Sequence, residues 1–287
     1  QDGVDILVDL AGHTANNRLP VFARGAAPVQ MSWLGYGATT GVSAMDYLLS
    51  DEWTDPAGES EDWFTEEIIR LPSGFMCYAP PDAPLPRDDS GRAPTFGSFN
   101  NLTKVNDAVI ELWADILRAA PDARLLLKAR QLGDAEISAR VRARFQALGV
   151  NADRLELHGR LASPQEHLAL YGRVDVALDP FPYNGATTTC EALWMGVPVV
   201  SLMGDRHVGR FGVGFLHRAE FPEWVAATGD AYVKIAVGLL AERPSRSAVR
   251  ACVAQSSLID GANFAMELEA AYRNVWRRWC ANGAERL

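Results

Sequence analysis

Apolar residues recur along this chain in two patterns. Short apolar runs, typical of buried strands, occur at 5–10, 29–34, 45–50, 68–71, 95–99, 124–129, 155–159, 174–178 and 197–202. Apolar residues at helical spacing occur at 18–24, 110–117, 135–148, 163–171, 187–196, 232–240, 247–256 and 264–279. Because strands alternate with helices, the pattern predicts an α/β fold with parallel sheets of the Rossmann type.

The stretch at 174–203 is the most informative part of this pattern. Its first apolar run ends at Asp179, and the chain passes through Gly185 into three threonines, 187–189, before a short helix that stops at Gly196. Such a turn lies at the carboxyl ends of parallel strands, where the N–H groups of a helix N-terminus favour a phosphate. Threonines can either cap the helix or donate hydrogen bonds to an anion. This stretch alone does not choose between the two functions.

Other strand ends carry further candidate residues. Lys104 follows the strand at 95–99 and is placed to reach the same phosphate, although an exposed loop lysine is the simpler interpretation. Glu191 lies one helical turn after Thr187, where a carboxylate can accept hydrogen bonds from ribose hydroxyls. His13 follows the first strand and is either a site residue or a histidine bonded to a backbone carbonyl.

Proline and charged residues concentrate at 79–94, which predicts a linker between two domains. The residues before it are too few for a complete doubly wound domain, so we expect preceding sequence to supply the rest. The aromatic stripe of the last helix predicts a packing face. The predicted organisation is therefore part of a first Rossmann-like domain at 1–80, a linker at 81–94, a second Rossmann-like domain at 95–262 and a C-terminal helix at 263–287 that packs back toward the first domain.

Composition narrows the function classes. The chain has 287 residues, is 48% hydrophobic and carries a net charge of −9, which indicates globular domains and argues against nucleic acid as the main partner. The four cysteines are widely spaced, which predicts reduced thiols and a cytoplasmic location. No apolar run reaches the roughly 18 residues of a membrane-spanning helix, so we expect no membrane association.

Several catalytic and binding motifs are absent from the sequence. There is no D-x-D triplet and no group of His, Cys and carboxylate residues at metal-ligand spacing, so we expect no metal and no cofactor. The serine hydrolase motif G-x-S-x-G, the Walker A motif and the dinucleotide motif G-x-G-x-x-G after a strand are also absent. What remains is a Rossmann-like domain with a threonine-rich helix start, a loop lysine and an acidic residue.

These residues lie within a series of longer motifs that resembles the O-linked N-acetylglucosamine transferase family, glycosyltransferase family 41. The motifs are DLAGHT at 9–14, PVQMSWLGY at 28–36, MDY at 45–47, FGSFNNLTK at 96–104, EHLALYGRVDVALDPFPYNG at 166–185 and TTTCEALWMGVPVV at 187–200. The series is most similar to bacterial members of the family, which also includes the plant SPINDLY-type O-fucosyltransferases. The resemblance implies a GT-B fold, in which two Rossmann-like domains face each other across a cleft.

The resemblance also implies an activity and roles for individual residues. The expected activity is metal-independent, inverting transfer of a sugar from a nucleotide donor to a Ser or Thr hydroxyl of a protein or peptide. Lys104 matches the lysine that stabilises the departing diphosphate, with Asn101 beside it, and Leu34 and Gly35 match backbone that lines the sugar pocket. The other roles expected from the family are diphosphate binding by Thr187 and Thr188, ribose binding by Glu191, and base recognition by Ala162 and His167.

The sequence departs from the family pattern at several points. The H-P-T-S-H segment and the tetratricopeptide repeats of the family are absent from it, and we expect the repeats upstream in the full-length protein. Ala186 and Pro164 stand where animal members have a histidine and a base-contacting lysine, and Gly37-Ala38 replaces the expected Pro-Gly. Three hypotheses therefore remain: transfer from UDP-N-acetylglucosamine, transfer from GDP-fucose or another nucleotide hexose, and an inactive nucleotide-binding or interaction fragment.

Overall fold

The structure is a computed structural model that describes residues 3–86 and 91–284. The chain forms two compact units. The first unit contains residues up to Ala79, the short segment Arg206–Arg210 and the residues from Ser257 onward, and the second contains Pro80–Asp205 and Phe211–Ser256. The chain therefore leaves the first unit at 80, returns to it briefly at 206–210 and re-enters it at 257 for the C-terminal helix.

The first unit is built on a four-stranded parallel sheet in the order β1-β2-β3-β4. Its strands are β1 (Ile6–Asp9), β2 (Val29–Ser32), β3 (Tyr47–Ser50) and β4 (Glu67–Arg70), and its helices are α1 (Leu19–Phe22) and α9 (Gly261–Ala284). The sheet and α9 share a buried cluster that contains Val29, Met31, Leu49, Leu71, Phe264 and Val275. The aromatic stripe of α9 is thus a packing face, as its spacing predicts.

The second unit has a six-stranded parallel sheet in the order β10-β9-β8-β5-β6-β7. The strands are β5 (Thr95–Ser98), β6 (Arg124–Lys128), β7 (Leu155–His158), β8 (Val176–Leu178), β9 (Val199–Leu202) and β10 (Val225–Ala226). The helices are α2 (Asp107–Ala119), α3 (Ala135–Ala147), α4 (Pro164–Leu170), α5 (Thr187–Trp194), α6 (Phe211–Arg218), α7 (Gly229–Glu242) and α8 (Arg246–Ala254). The strand order reverses between β5 and β8, and such a reversal is the usual ligand-binding point of a Rossmann sheet.

Local sequence accounts for the starts of four helices in the second unit. Asn106, Asp134, Ser163 and Thr228 cap the starts of α2, α3, α4 and α7, because each side chain accepts a hydrogen bond from a backbone N–H of the first turn. Gly97 lets β5 pass close to Val174, since a Cβ at this position would lie 2.5 Å from a valine methyl. Each apolar run of the sequence overlaps one of the strands β1–β9, which confirms the predicted parallel α/β fold.

The sequence pattern does not predict α6 and β10. Helix α6 has the sequence FGVGFLHR, and nearly all of its residues are buried. A helix that is buried all round has no polar face, so it lacks amphipathic spacing, and its two glycines have low helix propensity. Strand β10 has only two residues, too few for a periodic signal.

Candidate functional site

The predicted phosphate-binding residues of the second unit meet at the reversal point of its sheet. Asn100, Asn101 and Lys104 lie directly after β5, and the loop at 179–186 connects β8 to α5. Strands β5 and β8 are parallel neighbours, so their carboxyl ends open at the same edge of the sheet. The structure thus brings together segments that are about eighty residues apart in sequence.

Lys104 is held in this loop region by neutral groups. Its ammonium group donates a 2.7 Å hydrogen bond to the backbone carbonyl of Asn184 and lies 4.1 Å from the centre of the Tyr183 ring. Burial lowers the pKa of Lys104, and the charge of Asp179 opposes this shift. The position is therefore not that of a fully exposed loop lysine, which was the simpler interpretation of the sequence.

Asp179 is a buried carboxyl group directly after β8. One of its oxygens accepts a 2.6 Å hydrogen bond from the N–H of Gly185, and the other accepts a 2.7 Å bond from the hydroxyl of Ser201. Burial raises the pKa of Asp179 to about 7, although both hydrogen bonds and the charge of Lys104 act in the opposite direction. This carboxyl group fixes the end of the loop that holds Lys104.

The N-terminus of α5 has no side-chain cap. Its N-cap residue is Ala186, so the structure does not support the first of the two functions considered for the threonines, that they cap this helix. The Thr188 hydroxyl donates instead to the side-chain oxygen of Asn100 at 2.9 Å, and the Thr189 hydroxyl donates to the carbonyl of Gly185 at 3.2 Å. Within the described ranges, the backbone N–H groups of Thr187 and Thr188 have no acceptor, which leaves them free to bind an anion.

His167 and Glu191 form a second cluster in the same unit. The two side chains lie 2.9 Å apart between Nε2 and Oε2, and both are mostly buried. The imidazole is flanked by the rings of Phe99 and Tyr171, each with its centroid about 5.6 Å away. Its Nδ1 is buried and has no hydrogen-bond partner among the described residues.

Two more predicted binding residues border this region. The side-chain oxygen of Asn101 accepts hydrogen bonds from the Thr103 N–H and, at 2.7 Å, from Gln131. Ala162 is exposed, and its N–H donates to Glu166 at 3.2 Å. Ser163 caps α4, but the side chain of Glu166 accepts from the N–H of Ala162 and not from that of Ser163, so the two residues form only part of a capping box.

The first unit places its own candidates at the carboxyl ends of β1 and β2. Gly35 packs on the backbone of Ala11, since a Cβ on Gly35 would lie 2.4 Å from the Ala11 carbonyl carbon. Leu34 has a positive φ of 66° and an exposed side chain. His13 is also exposed, and its Nε2 lies 3.2 Å from the carbonyl oxygen of Thr39, which is the backbone contact that its alternative interpretation predicts.

Two carboxylates hold the loops of the first unit in place. Asp9 accepts hydrogen bonds from the backbone N–H groups of Ala11 and Gly12, the latter at 2.7 Å. Glu66 accepts from the hydroxyls of Thr39 and Thr40 and from the Thr40 N–H. The backbone of these loops is therefore fixed by charge-assisted hydrogen bonds.

Sequence reasoning missed four residues of the second unit. Three are buried polar residues of the strand-end loops, Asn100, Asp179 and Asn184. The fourth is Lys128 at the end of β6, whose pKa is lowered by burial while the charge of Glu191 opposes the shift. One signal was available: the sequence contains only three lysines, Lys104, Lys128 and Lys234, and two of them lie near the carboxyl ends of adjacent strands, β5 and β6.

Metal and membrane features are absent from the described part of the chain. Its residues contain no group of three or more His, Cys, Asp or Glu side chains that could hold a metal ion. Within the same residues, the helices are too short or too polar to cross a bilayer. Chemically, the second unit offers a cation, two free helix N–H groups and a histidine–carboxylate pair, an arrangement suited to a nucleoside diphosphate.

Comparisons with known proteins identify the family of this chain. The family model described as glycosyl transferase family 41 matches residues 1–79 and 85–268. A protein of Petunia hybrida named probable UDP-N-acetylglucosamine–peptide N-acetylglucosaminyltransferase SPINDLY is 40% identical over 98% of this chain. The solved structure of a mutant O-GlcNAc transferase of Thermobaculum terrenum is 43% identical, covers 98% of this chain and superposes with a TM-score of 0.90.

A more distant structure supports the fold alone. The apo form of the lipopolysaccharide outer core galactosyltransferase WaaB is 14% identical and covers 95% of this chain, with a TM-score of 0.62.

The chain spans 31% of the length of the Petunia relative and 55% of the Thermobaculum chain. Much of each relative therefore lies outside the part that these comparisons cover.

Proposed function

Because this chain belongs to glycosyl transferase family 41 and has a GT-B fold, we propose that it is the sugar-transferring region of a protein O-glycosyltransferase. The donor is UDP-N-acetylglucosamine, and the acceptor is a serine or threonine hydroxyl of a protein or peptide. The names of its relatives support the donor and the acceptor class. The matched family model supports the reaction class.

The observation that carries this proposal is the convergence at the reversal point of the second sheet. Lys104 and the free N–H groups of Thr187 and Thr188 offer positive charge to a diphosphate at the ends of β5 and β8. A helix N-terminus and a lysine are together sufficient to bind phosphate without a metal ion. Metal-independent transfer is therefore part of the proposal.

These groups also account for the chemical step. When the acceptor hydroxyl attacks the anomeric carbon, its oxygen forms the new glycosidic bond and its proton is released to solvent. The bond to the β-phosphate oxygen breaks, and negative charge grows on the departing UDP. Lys104 and the two N–H groups stabilise this charge most strongly in the transition state, because they are already oriented before the reaction. Attack from the face opposite the leaving group inverts the configuration at the anomeric carbon.

The His167–Glu191 pair is the proposed nucleoside site. Glu191 accepts hydrogen bonds from the ribose hydroxyls, and the imidazole between Phe99 and Tyr171 stacks on the base beside Ala162. Asn101 borders the diphosphate. In the first unit, the backbone at Leu34 and Gly35 lines the sugar pocket, and His13 is a further candidate site residue.

The rest of the full-length protein has a proposed role as well. Since the chain spans about a third of the curated plant relatives, we place the tetratricopeptide repeats and the H-P-T-S-H segment of the family upstream of it. The repeats would present the acceptor protein to the site. The cytoplasm, where both nucleotide sugars and protein acceptors occur, is the proposed location.

A transfer assay on the full-length protein tests this function. The protein is incubated with an acceptor protein and either UDP-N-acetylglucosamine or GDP-fucose, without added metal and with a chelator, and the product is analysed by mass spectrometry. We expect a mass increase of one N-acetylhexosamine on Ser or Thr. Addition of deoxyhexose from GDP-fucose alone would favour the alternative donor, and no transfer from either donor, together with no nucleotide binding, would refute the enzyme hypothesis.

A further inference from the structure

Asp179 lies in an environment that is unfavourable for a carboxylate. Its side chain is 1% exposed and is enclosed by the end of β8, by Ser201 on β9 and by Gly212 on α6. Space at Gly212 is so limited that a Cβ there would lie 2.0 Å from the Ser201 hydroxyl and 3.1 Å from Asp179 Oδ2. A carboxylate at such a place loses the solvation that water gives it.

The hydrogen bonds of Asp179 do not by themselves require a charge. The Gly185 N–H and the Ser201 hydroxyl are two donors, and a neutral oxygen acceptor can bond to both without the desolvation cost of an ion. A charge in this position must therefore have an electrostatic partner nearby. Two ionisable groups interact with Asp179, Lys104 and Tyr232, and Tyr232 stays neutral because burial raises its pKa well above the ordinary value.

A continuous set of contacts connects Asp179 to Lys104. Asp179 bonds to the Gly185 N–H, and the preceding residue, Asn184, is fully buried and bonds through its side chain to the Pro180 carbonyl at 3.0 Å. The Asn184 carbonyl then accepts the 2.7 Å hydrogen bond from Lys104. The direct contacts of the ammonium group, a carbonyl and the Tyr183 ring, are neutral.

We propose that Asp179 is a positioning residue of the nucleotide site. It fixes the loop that holds Lys104, and it supplies the negative charge that keeps this lysine protonated until the diphosphate of the donor becomes the anionic partner of Lys104. The role in the free protein depends only on the contacts within the second unit. The replacement by the diphosphate rests on the proposed function. Asp179 does not touch the donor and acts only through Lys104.

The small number of lysines makes a direct test possible. Because the chain contains only Lys104, Lys128 and Lys234, protein labelled with ¹³C at lysine Cε gives three side-chain NMR signals, and Lys104→Arg identifies the signal of Lys104. The exposed Lys234 serves as an internal reference. The signals are followed against pH in the nucleotide-free wild type, in Asp179→Asn and in Asp175→Asn.

Asp175 is a matched control, because it lies just before the same strand, β8, and bonds at that end to Arg92 at 2.6 Å. In the wild type we expect the Lys104 signal to shift near pH 7, where Asp179 ionises. In Asp179→Asn this shift should disappear, and the titration of Lys104 itself should move to lower pH. Asp175→Asn should behave like the wild type, since its charge is not the partner of Lys104.

Two results would overturn the inference. One is a wild-type Lys104 signal without a step near pH 7, a result that does not depend on whether Asp179→Asn folds. The other is identical titration of Lys104 in wild type and Asp179→Asn. Addition of UDP then tests the proposed function separately: free-protein titrations as predicted, with no response to UDP, would contradict nucleotide binding while leaving the pairing of Asp179 and Lys104 intact.

Discussion

The strand-end loops of the two units are held in different ways. In the second unit, buried ionisable groups define the site: Lys104 bonds to a loop carbonyl, and Asp179 is enclosed behind that loop. In the first unit, the carboxylates of Asp9 and Glu66 point at backbone N–H and hydroxyl groups, and Gly35 sets how closely two loops approach. The second unit therefore depends on buried ionisable groups whose charge changes with pH, whereas the loops of the first unit are fixed by carboxylate hydrogen bonds and by close backbone packing.

This difference fits the two tasks of a sugar transferase, which are to stabilise a departing diphosphate and to recognise a sugar. A departing diphosphate develops charge, which only a charged or dipolar site can stabilise. A sugar is neutral, so its recognition needs hydrogen-bonding groups held at fixed positions. Substitutions that change charge should therefore act through the second unit, and substitutions that change shape should act through the first.

The largest effect is expected for Lys104→Met. It removes the cation at the diphosphate while keeping a long apolar side chain, and loss of one such transition-state donor lowers the rate by roughly 10²–10³-fold. Steady-state transfer by the full-length protein measures it. Lys234→Met is the control, because this lysine is exposed on α7; equal losses in both variants would show that the effect is not specific to the site.

Asp179→Asn should change how stability depends on pH. Burial raises the pKa of Asp179 to about 7 from an ordinary 3.8, so between these values the folded chain binds a proton that the unfolded chain has lost. Rising pH therefore destabilises the wild type across this window. The variant lacks this titration, and relative to wild type it should gain up to about 4 kcal/mol between pH 4 and pH 8.

Denaturant unfolding at these two pH values measures that change. Asp175→Asn, which breaks the ion pair with Arg92, should show no comparable gain with pH. If the stability difference between Asp179→Asn and wild type is the same at pH 4 and pH 8, the buried carboxyl group does not titrate as described, and the charge-based account of the second unit fails.

Gly35→Ala tests the shape-based account of the first unit. Its new Cβ would lie 2.4 Å from the Ala11 backbone, so the two loops must separate at a cost of about 1–3 kcal/mol. Hydrogen exchange should show faster opening around Ala11, with UDP affinity unchanged. Gly261→Ala is the control, because no atom lies within 4 Å of a Cβ at that position. A fall in UDP affinity in Gly35→Ala but not in Gly261→Ala would contradict the proposal that the second unit binds the diphosphate and the first unit recognises the sugar.

The smallest effect is expected for Thr188→Val. It keeps the branched side chain but removes the hydroxyl that donates to Asn100 at 2.9 Å. Loss of one such internal hydrogen bond costs about 1 kcal/mol of folding stability, which denaturant unfolding measures. Thr188→Ser keeps the hydroxyl and should be as stable as the wild type; a lower stability of Thr188→Ser would show that the methyl group matters instead.

The comparison also explains what the sequence can predict. Strand-end positions follow from local pattern, so the sequence alone identifies Lys104, the loop at 185–189 and Glu191 as candidates. It does not identify their partners, because the carbonyl that holds Lys104 and the amide that bonds to Thr188 lie 80 and 88 residues away. The threonines illustrate the limit: their spacing fits an N-cap, but Ala186 takes that position and Thr188 bonds to Asn100.

The first unit shows a second limit. The glycines near the end of β2 indicate a turn or a close approach, but only the structure shows that Gly35 packs on Ala11. Buried charge is harder still to foresee. In the sequence, Asp179 is a polar residue that directly follows an apolar run. Its burial depends on Ser201 and Gly212, which no local pattern connects to it.

The central claim is that Lys104 and the N-terminus of α5 hold the diphosphate of the donor. Calorimetric titration of this chain with UDP and with uridine tests it most directly, because the two ligands differ only in the diphosphate. We predict that UDP binds at least tenfold more tightly than uridine, since charge-assisted hydrogen bonds each contribute about 1.5–3 kcal/mol, and that Lys104→Met removes most of this difference. Equal affinities for UDP and uridine, or an unchanged difference in Lys104→Met, would contradict the account.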